Sequence, residues 1–271
     1  MKAARFDYVR PTTLAEALTL LSEAPDAKVL AGGQTLGPML NLRLAQPPLL
    51  VDIARIAELA EVVEDRDSVT LGATITHAAV EDGRVTDPTA GFLARVATGI
   101  GYRAVRTRGT IGGSLAHADP AADWLVALTA LGAELNVAGP AGRRRLALTG
   151  FVEGAMQTVL KSTELITSVR LAKFSSAARF GYHKICRKVG EFADAIGAVA
   201  YDPERGVRRL AVSTLAGAPL LLEAQDRTIG TVPEIAQIEV DLRHAGFSGD
   251  AYETRLRAVA VRRAAIAMAS R

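Results

Sequence analysis

Two glycine pairs carry the chemistry most directly suggested by the sequence. Gly32-Gly33 lies within Ala31-Gly32-Gly33-Gln34-Thr35-Leu36, and Gly112-Gly113 lies within Arg108-Gly109-Thr110-Ile111-Gly112-Gly113-Ser114, eighty residues further along. Glycine lacks a Cβ and takes positive φ freely, so successive backbone N–H groups can converge on an anion at close range. Each pair follows an extended run and opens toward a helix. Two such loops suit two phosphate groups, or one pyrophosphate held between subdomains. Neither loop matches the dinucleotide fingerprint G-x-G-x-x-G or the P-loop with its lysine. Taken alone, the second loop reads equally well as a glycine turn between a strand and a helix.

Other chemistries find less support. His77, His117, His183 and His244 are scattered, with no H-x-x-x-H spacing and no cysteine partner, so a metal site is not expected. They read as core or surface histidines, with His117 lying within the second loop. Ser114 lacks the G-x-S-x-G context of a hydrolase nucleophile. Cys186 is the sole cysteine; it permits no internal disulfide and cannot supply the four thiolates of an iron-sulfur cluster, so any such centre belongs on another chain.

The elements that must hold the loops are legible from capping and periodicity. Thr13 and Glu16 have capping-box spacing ahead of Leu14, Ala17, Leu18 and Leu21. A short strand over 27–30 then runs into the first loop. A helix over 36–44, stopped by Pro47-Pro48, leads to a strand over 49–53, making a compact α/β unit. Short strands are expected over 59–63 and 68–71, and helices over 76–81 and 88–98. After the second loop, Asp119 reads as an N-cap and Pro120 as the first helical residue. The apolar face Trp124, Leu125, Leu128 and Leu131 ends that helix at Gly132. Residues 133–138 and 143–148 form a hairpin around Gly139-Pro140-Ala141-Gly142 with Arg143, Arg144 and Arg145 outward. A strand over 165–171 precedes a boundary near 172–178. Beyond it lie strands over 179–186, 195–201 and 207–214. A last helix over 252–269 packs Leu256, Val259, Ala260 and Ile266 and turns its arginines to water.

The 271 residues are 49% hydrophobic and 23% charged, a globular balance with room for a sizeable core. With 32 basic against 29 acidic side chains the net charge is only +3, and aromatics make up 5%, so nucleic acid is not indicated. The first eleven residues lack the apolar run of a signal peptide, and no apolar stretch is long enough to span a bilayer. The expected location is the cytoplasm.

The two glycine motifs, with Asn41-Leu42-Arg43-Leu44, Val51-Asp52-Ile53, Asp119-Pro120-Ala121-Ala122-Asp123, Tyr182-His183-Lys184 and Arg187-Lys188-Val189-Gly190-Glu191-Phe192-Ala193, resemble the FAD-binding medium subunits of molybdenum hydroxylases. Carbon monoxide dehydrogenase medium subunits and the flavin domain of xanthine dehydrogenase are the relatives implied. The resemblance implies an α+β chain with the vanillyl-alcohol-oxidase-type FAD fold: FAD-binding subdomains over 1–56 and 57–174, then a C-terminal α+β domain over 175–271. It places Ala31, Gly32, Gly33, Gln34 and Thr35, and Thr110, Gly112, Gly113 and Ser114, on the phosphate side of FAD, with Leu36 and Ile111 among the further cofactor-binding residues. Asp123 would meet the nucleotide part, Ile166 would be an apolar contact, Lys184 would approach the flavin pyrimidine edge, and Phe192 would face the ring. A lysine cation near the flavin N1 and C2 carbonyl stabilises the negative charge that builds up on reduction. Outside the resemblance, Lys184 reads as a solvated strand lysine and Phe192 as core packing. The family more often has Asp at the position of Glu191 and Asn at that of Ser114.

The implied function is an electron-transfer flavoprotein subunit with no catalytic residue beyond the flavin. A large molybdenum subunit oxidises the substrate, and [2Fe-2S] clusters on a small subunit relay electrons to FAD, which passes them to an external acceptor. The implied assembly is a dimer of heterotrimers. A self-sufficient FAD-dependent reductase or oxidase on the same fold is the alternative, and a non-catalytic nucleotide-binding or assembly module is a third.

Overall fold

The computed structural model describes residues 2–222 and 232–270. It begins with a parallel three-stranded sheet of β1 (Asp7–Val9), β2 (Lys28–Leu30) and β3 (Leu49–Asp52), with β3 in the middle. Helix α1 (Leu14–Glu23) links β1 to β2. Its N-terminus is capped by Thr13, whose hydroxyl accepts from the Glu16 N–H, while the Glu16 carboxylate reaches back to the Thr12 N–H. Leu14, Ala17 and Leu21 pack with Val51 and Ile53 in one cluster. Helix α2 (Leu36–Asn41) is shorter than the expected 36–44, because Arg43 turns to φ 59° and the Leu44 N–H closes back on the Met39 carbonyl.

The middle of the chain contains β4 (Val62–Glu64), β5 (Ser68–Gly72), helices α3 (His77–Glu81), α4 (Phe92–Thr98), α5 (Arg103–Arg106), α6 (Ile111–His117) and α7 (Asp123–Leu131), and strands β6 (Glu134–Gly139), β7 (Gly142–Ala147), β8 (Val152–Gly154), β9 (Gln157–Thr158) and β10 (Leu165–Ala172). Five of these strands form an antiparallel sheet in the order β4-β5-β10-β6-β7. The expected hairpin is β6–β7, and its arginines are exposed. Every residue of α7 is buried, as expected of a helix apolar all round.

Two helix starts differ from the sequence expectation. Helix α7 begins at Asp123, not after Asp119; the Asp119 carboxylate instead accepts from the Ala121 N–H at 2.9 Å and closes a turn of its own. The glycines of the second loop do not precede a helix but form the first turn of α6, capped by Thr110.

The third sheet is antiparallel, with β11 (Arg179–Ile185), β12 (Ala195–Asp202), β13 (Val207–Val212) and β14 (Leu220–Leu222) in sequence order, covered by α8 (Ile235–His244) and α9 (Ala251–Ala269). The buried face of α9 is Ala258, Ala260, Val261, Ala264, Ala265 and Met268, while the expected core residue Ile266 is exposed. Alanines let α9 lie close to the sheet, and a Cβ on Gly197 of β12 would come within 2.6 Å of the Ala260 carbonyl oxygen. Arg257 is buried too, donating to the Ser213 carbonyl at 3.1 Å and lying over the Phe247 ring. One core runs from the second sheet into the third: Trp124, Leu125 and Leu128 of α7 share it with Val169 of β10 and with Ile196, Ala198 and Ala211 of β12 and β13. The α+β class expected from the sequence is the one observed. Among the described residues, no helix is long and apolar enough to cross a membrane.

Candidate functional site

The two glycine loops, eighty residues apart in sequence, touch. A Cβ on Gly32 would overlap the Arg108 carbonyl and come within 2.8 Å of the Gly109 Cα, so only glycine lets the two backbones meet. The Arg108 Nε approaches the Gly32 carbonyl at 3.4 Å, and the same oxygen accepts from the Gln34 side chain at 3.2 Å. Gly33 has φ 71° and reverses the chain between β2 and α2.

The second loop is fastened from below. The His77 N–H donates to the Gly109 carbonyl, Ile111 N–H to Ile75, and Gly112 N–H to Ala73, all at 2.9–3.0 Å. Thr110 caps α6 by accepting from the Gly113 N–H at 3.1 Å, and the Ser114 N–H bonds the Thr110 carbonyl. Upstream, Arg106 grips Glu81 through two hydrogen bonds and donates to the Ile100 and Gly101 carbonyls, fixing the run that leads into the loop.

The backbone donors of the two loops are spent differently. Each N–H from Ile111 to Ser114 has an acceptor within the protein. Those of Gly32, Gly33, Gln34 and Thr35 have none among the described residues. Gly112 is buried, and a Cβ there would sit 2.5 Å from that of Ala73. Gly113 is exposed, and a Cβ on it would meet only the Thr110 hydroxyl at 2.8 Å and the Ala31 Cβ at 3.8 Å. The open donors are therefore those of the first loop, with Gly113 of the second beside Ala31.

Of the remaining candidates, Leu36 opens α2 directly after these donors. Ile111 and Ile166 are buried in the core, Ile166 on β10 opposite Val137. Asp123 and Lys184, assigned by resemblance to different parts of FAD, form a single ion pair at 3.1 Å with both side chains nearly buried. Lys184 also donates to the Gly99 carbonyl, and Tyr182 donates its hydroxyl to the second Asp123 oxygen. Lys184 is thus not a solvated strand lysine. Burial pushes the Asp123 carboxyl up despite Lys184 and Tyr182, and burial beside Asp123 pushes the Tyr182 phenol well up. Phe192 is 75% exposed, so it is not the packed core residue that composition suggests.

Three participants have no site role in the sequence reading: Arg108 at the loop contact, Tyr182 on Asp123, and His77 beneath the second loop. Trp124 donates its indole N–H to the His77 Nδ1 at 3.0 Å, and burial together with the Arg106 charge lowers the His77 pKa to about 4. Alternation along β11 could have flagged Tyr182, which lies two residues from Lys184 and so on the same face. Nothing local marks the other two. A cavity of about 360 Å³ at the far end of α7, lined by Thr129, Glu134, Arg170 and Arg209, shares no residue with either loop.

A run of four N–H donors without protein acceptors among the described residues, close to an exposed glycine, fits a diphosphate. Residues 4–173 match the model of the FAD binding domain in molybdopterin dehydrogenase. The chain belongs to this family. It is 35% identical over 232 residues to the caffeine dehydrogenase subunit beta of Pseudomonas sp. (strain CBB1), covering 84% of this chain and 79% of that protein. A solved carbon monoxide dehydrogenase from Hydrogenophaga pseudoflava superposes with a TM-score of 0.89 at 32% identity, over 100% of this chain and 99% of that one. Quinoline 2-oxidoreductase from Pseudomonas putida 86 gives 0.85 at 29% identity over the same shares. This family member is an FAD-binding flavoprotein of the oxidoreductase class.

Proposed function

We propose that this chain holds FAD at the seam of the two glycine loops and serves as the electron-transfer subunit of a molybdenum hydroxylase complex. The observation that carries the site is the set of N–H groups at Gly32, Gly33, Gln34 and Thr35 with no acceptor among the described residues, beside Gly113 and with Ser114 following it. These donors hold the diphosphate without side-chain reorganisation. Ala31, Leu36 and Thr110 shape the cradle's edges, while Ile111, Gly112 and Ile166 support it from the core. Bound FAD supplies the two-electron to one-electron conversion that joins a substrate-oxidising centre to single-electron carriers. Asp123, Lys184 and Tyr182 form one hydrogen-bonded wall that fixes the Lys184 charge in place, and Phe192 offers an aromatic surface to exclude water.

The relatives' names, which include a subunit beta and a medium chain, support work inside a multi-subunit assembly. Within it we place a large molybdenum subunit, a small iron-sulfur subunit carrying [2Fe-2S] clusters, an external electron acceptor, a dimer-of-heterotrimers arrangement and a cytoplasmic location. The division at 1–56, 57–174 and 175–271 is kept in this reading and is supported by the sheets, none of which has strands from more than one of these segments. The test is titration of the purified full chain with FAD. Stoichiometric yellow flavin that dithionite reduces reversibly is expected, and Gly113→Val should lose it while keeping the far-UV spectrum. Absence of flavin binding by the wild type would overturn the proposal. Turnover with a soluble donor by the chain alone would replace it with a self-sufficient reductase or oxidase.

A further inference from the structure

We propose that Arg108 supplies a side-chain cation to the diphosphate of the ligand held at the loop seam. This rests on the FAD reading above and adds a residue to it. Three arginines lead into the second loop, and two are already committed. Arg103 pairs with Glu81 and Asp82, and Arg106 pairs with Glu81. Arg108 makes no ion pair among the described residues, and its side chain is exposed. Its backbone carbonyl packs on Gly32, and its Nε leans at 3.4 Å on a Gly32 oxygen already shared with Gln34. The guanidinium is thus tethered beside the open donors while its two terminal nitrogens have no partner among the described residues.

The chemistry asks for such a group. Backbone N–H donors are neutral, so they orient a diphosphate without cancelling its charge, and an anion drawn out of water needs a counter-charge as well as hydrogen bonds. A guanidinium fork bonds two phosphate oxygens through parallel N–H groups in a fixed plane, a geometry that the compact ammonium does not offer.

The test is the FAD dissociation constant of the full chain, read by flavin fluorescence over a range of NaCl concentrations, for wild type, R108A, R108K and G32V. R108A should bind FAD about ten- to a hundredfold more weakly, with a shallower salt dependence, and R108K should fall between. R108Q, matched to the wild type in thermal midpoint, serves if R108A folds poorly. R108A affinity within twofold of wild type, or weakened binding with an unchanged salt dependence, would overturn the proposal. If G32V loses FAD in the same series, that failure concerns Arg108 alone. If G32V keeps wild-type affinity, the seam is not the FAD site, and both proposals fall.

Discussion

In the first glycine loop the backbone donors from Gly32 to Thr35 have no acceptor among the described residues, whereas in the second every N–H from Ile111 to Ser114 is bonded inside the protein. Similar residues thus serve different ends. Gly32 permits a contact between two parts of the fold, Gly33 supplies a reversal, Gly112 lets α6 sit on Ala73, and only Gly113 presents a bare surface outward. A double glycine in a sequence is therefore not a ligand site as such. What distinguishes a cradle from a helix start is where the neighbouring N–H groups go.

Substitution separates these roles, most severely at the contact. Gly32→Val should drive Arg108 and Gly109 away from the first loop, lowering FAD affinity by more than a hundredfold and the thermal midpoint with it; a variant that binds FAD normally would mean that the loops need not touch. Gly112→Ala should cost about 1–3 kcal/mol in urea unfolding, from overpacking against Ala73, while the folded fraction keeps its FAD affinity. Reversal of that pattern would make Gly112 a ligand contact. The last effect is absent at neutral pH and is a pH dependence confined to the support of the second loop. The His77 pKa of about 4 in the folded chain lies below the ordinary 6.5, so its contribution is complete above pH 6.5. As pH falls from 6.5 toward 4, the unfolded chain binds the extra proton, and stability drops by up to about 1.4 kcal/mol per pH unit. His77→Gln should flatten that part of the profile in urea titrations, and an unchanged slope would remove His77 from the account.

Much of the frame was legible because its signals are local. Thr13 and Glu16 announce α1, Gly132 ends α7 at φ 69°, and the β6–β7 hairpin follows from its turn residues. The start of α6 was not legible. Thr110 is followed three residues later by Gly113 rather than an acidic partner, so no capping box advertised it, and Asp119-Pro120 offered a better-looking start nearby. The rotated face of α9 has a similar cause: alanines carry little hydrophobic weight, so Leu256, Val259 and Ile266 dominated the periodicity while the glycines of the facing sheet selected the alanines. The Asp123–Lys184 pair spans 61 residues and joins the start of α7 to β11, a distance at which sequence spacing has no voice.

Helix α7 carries a consequence for anyone who would treat this family domain as a portable part. The family match ends at residue 173, yet the walls around α7 do not. Cutting there removes Phe180, Ile196, Ala198 and Ala211 from its core and strips Lys184 and Tyr182 from a buried Asp123. The recognisable flavin module is a unit of ancestry rather than of mechanics, and transplanting it requires the third sheet to travel with it.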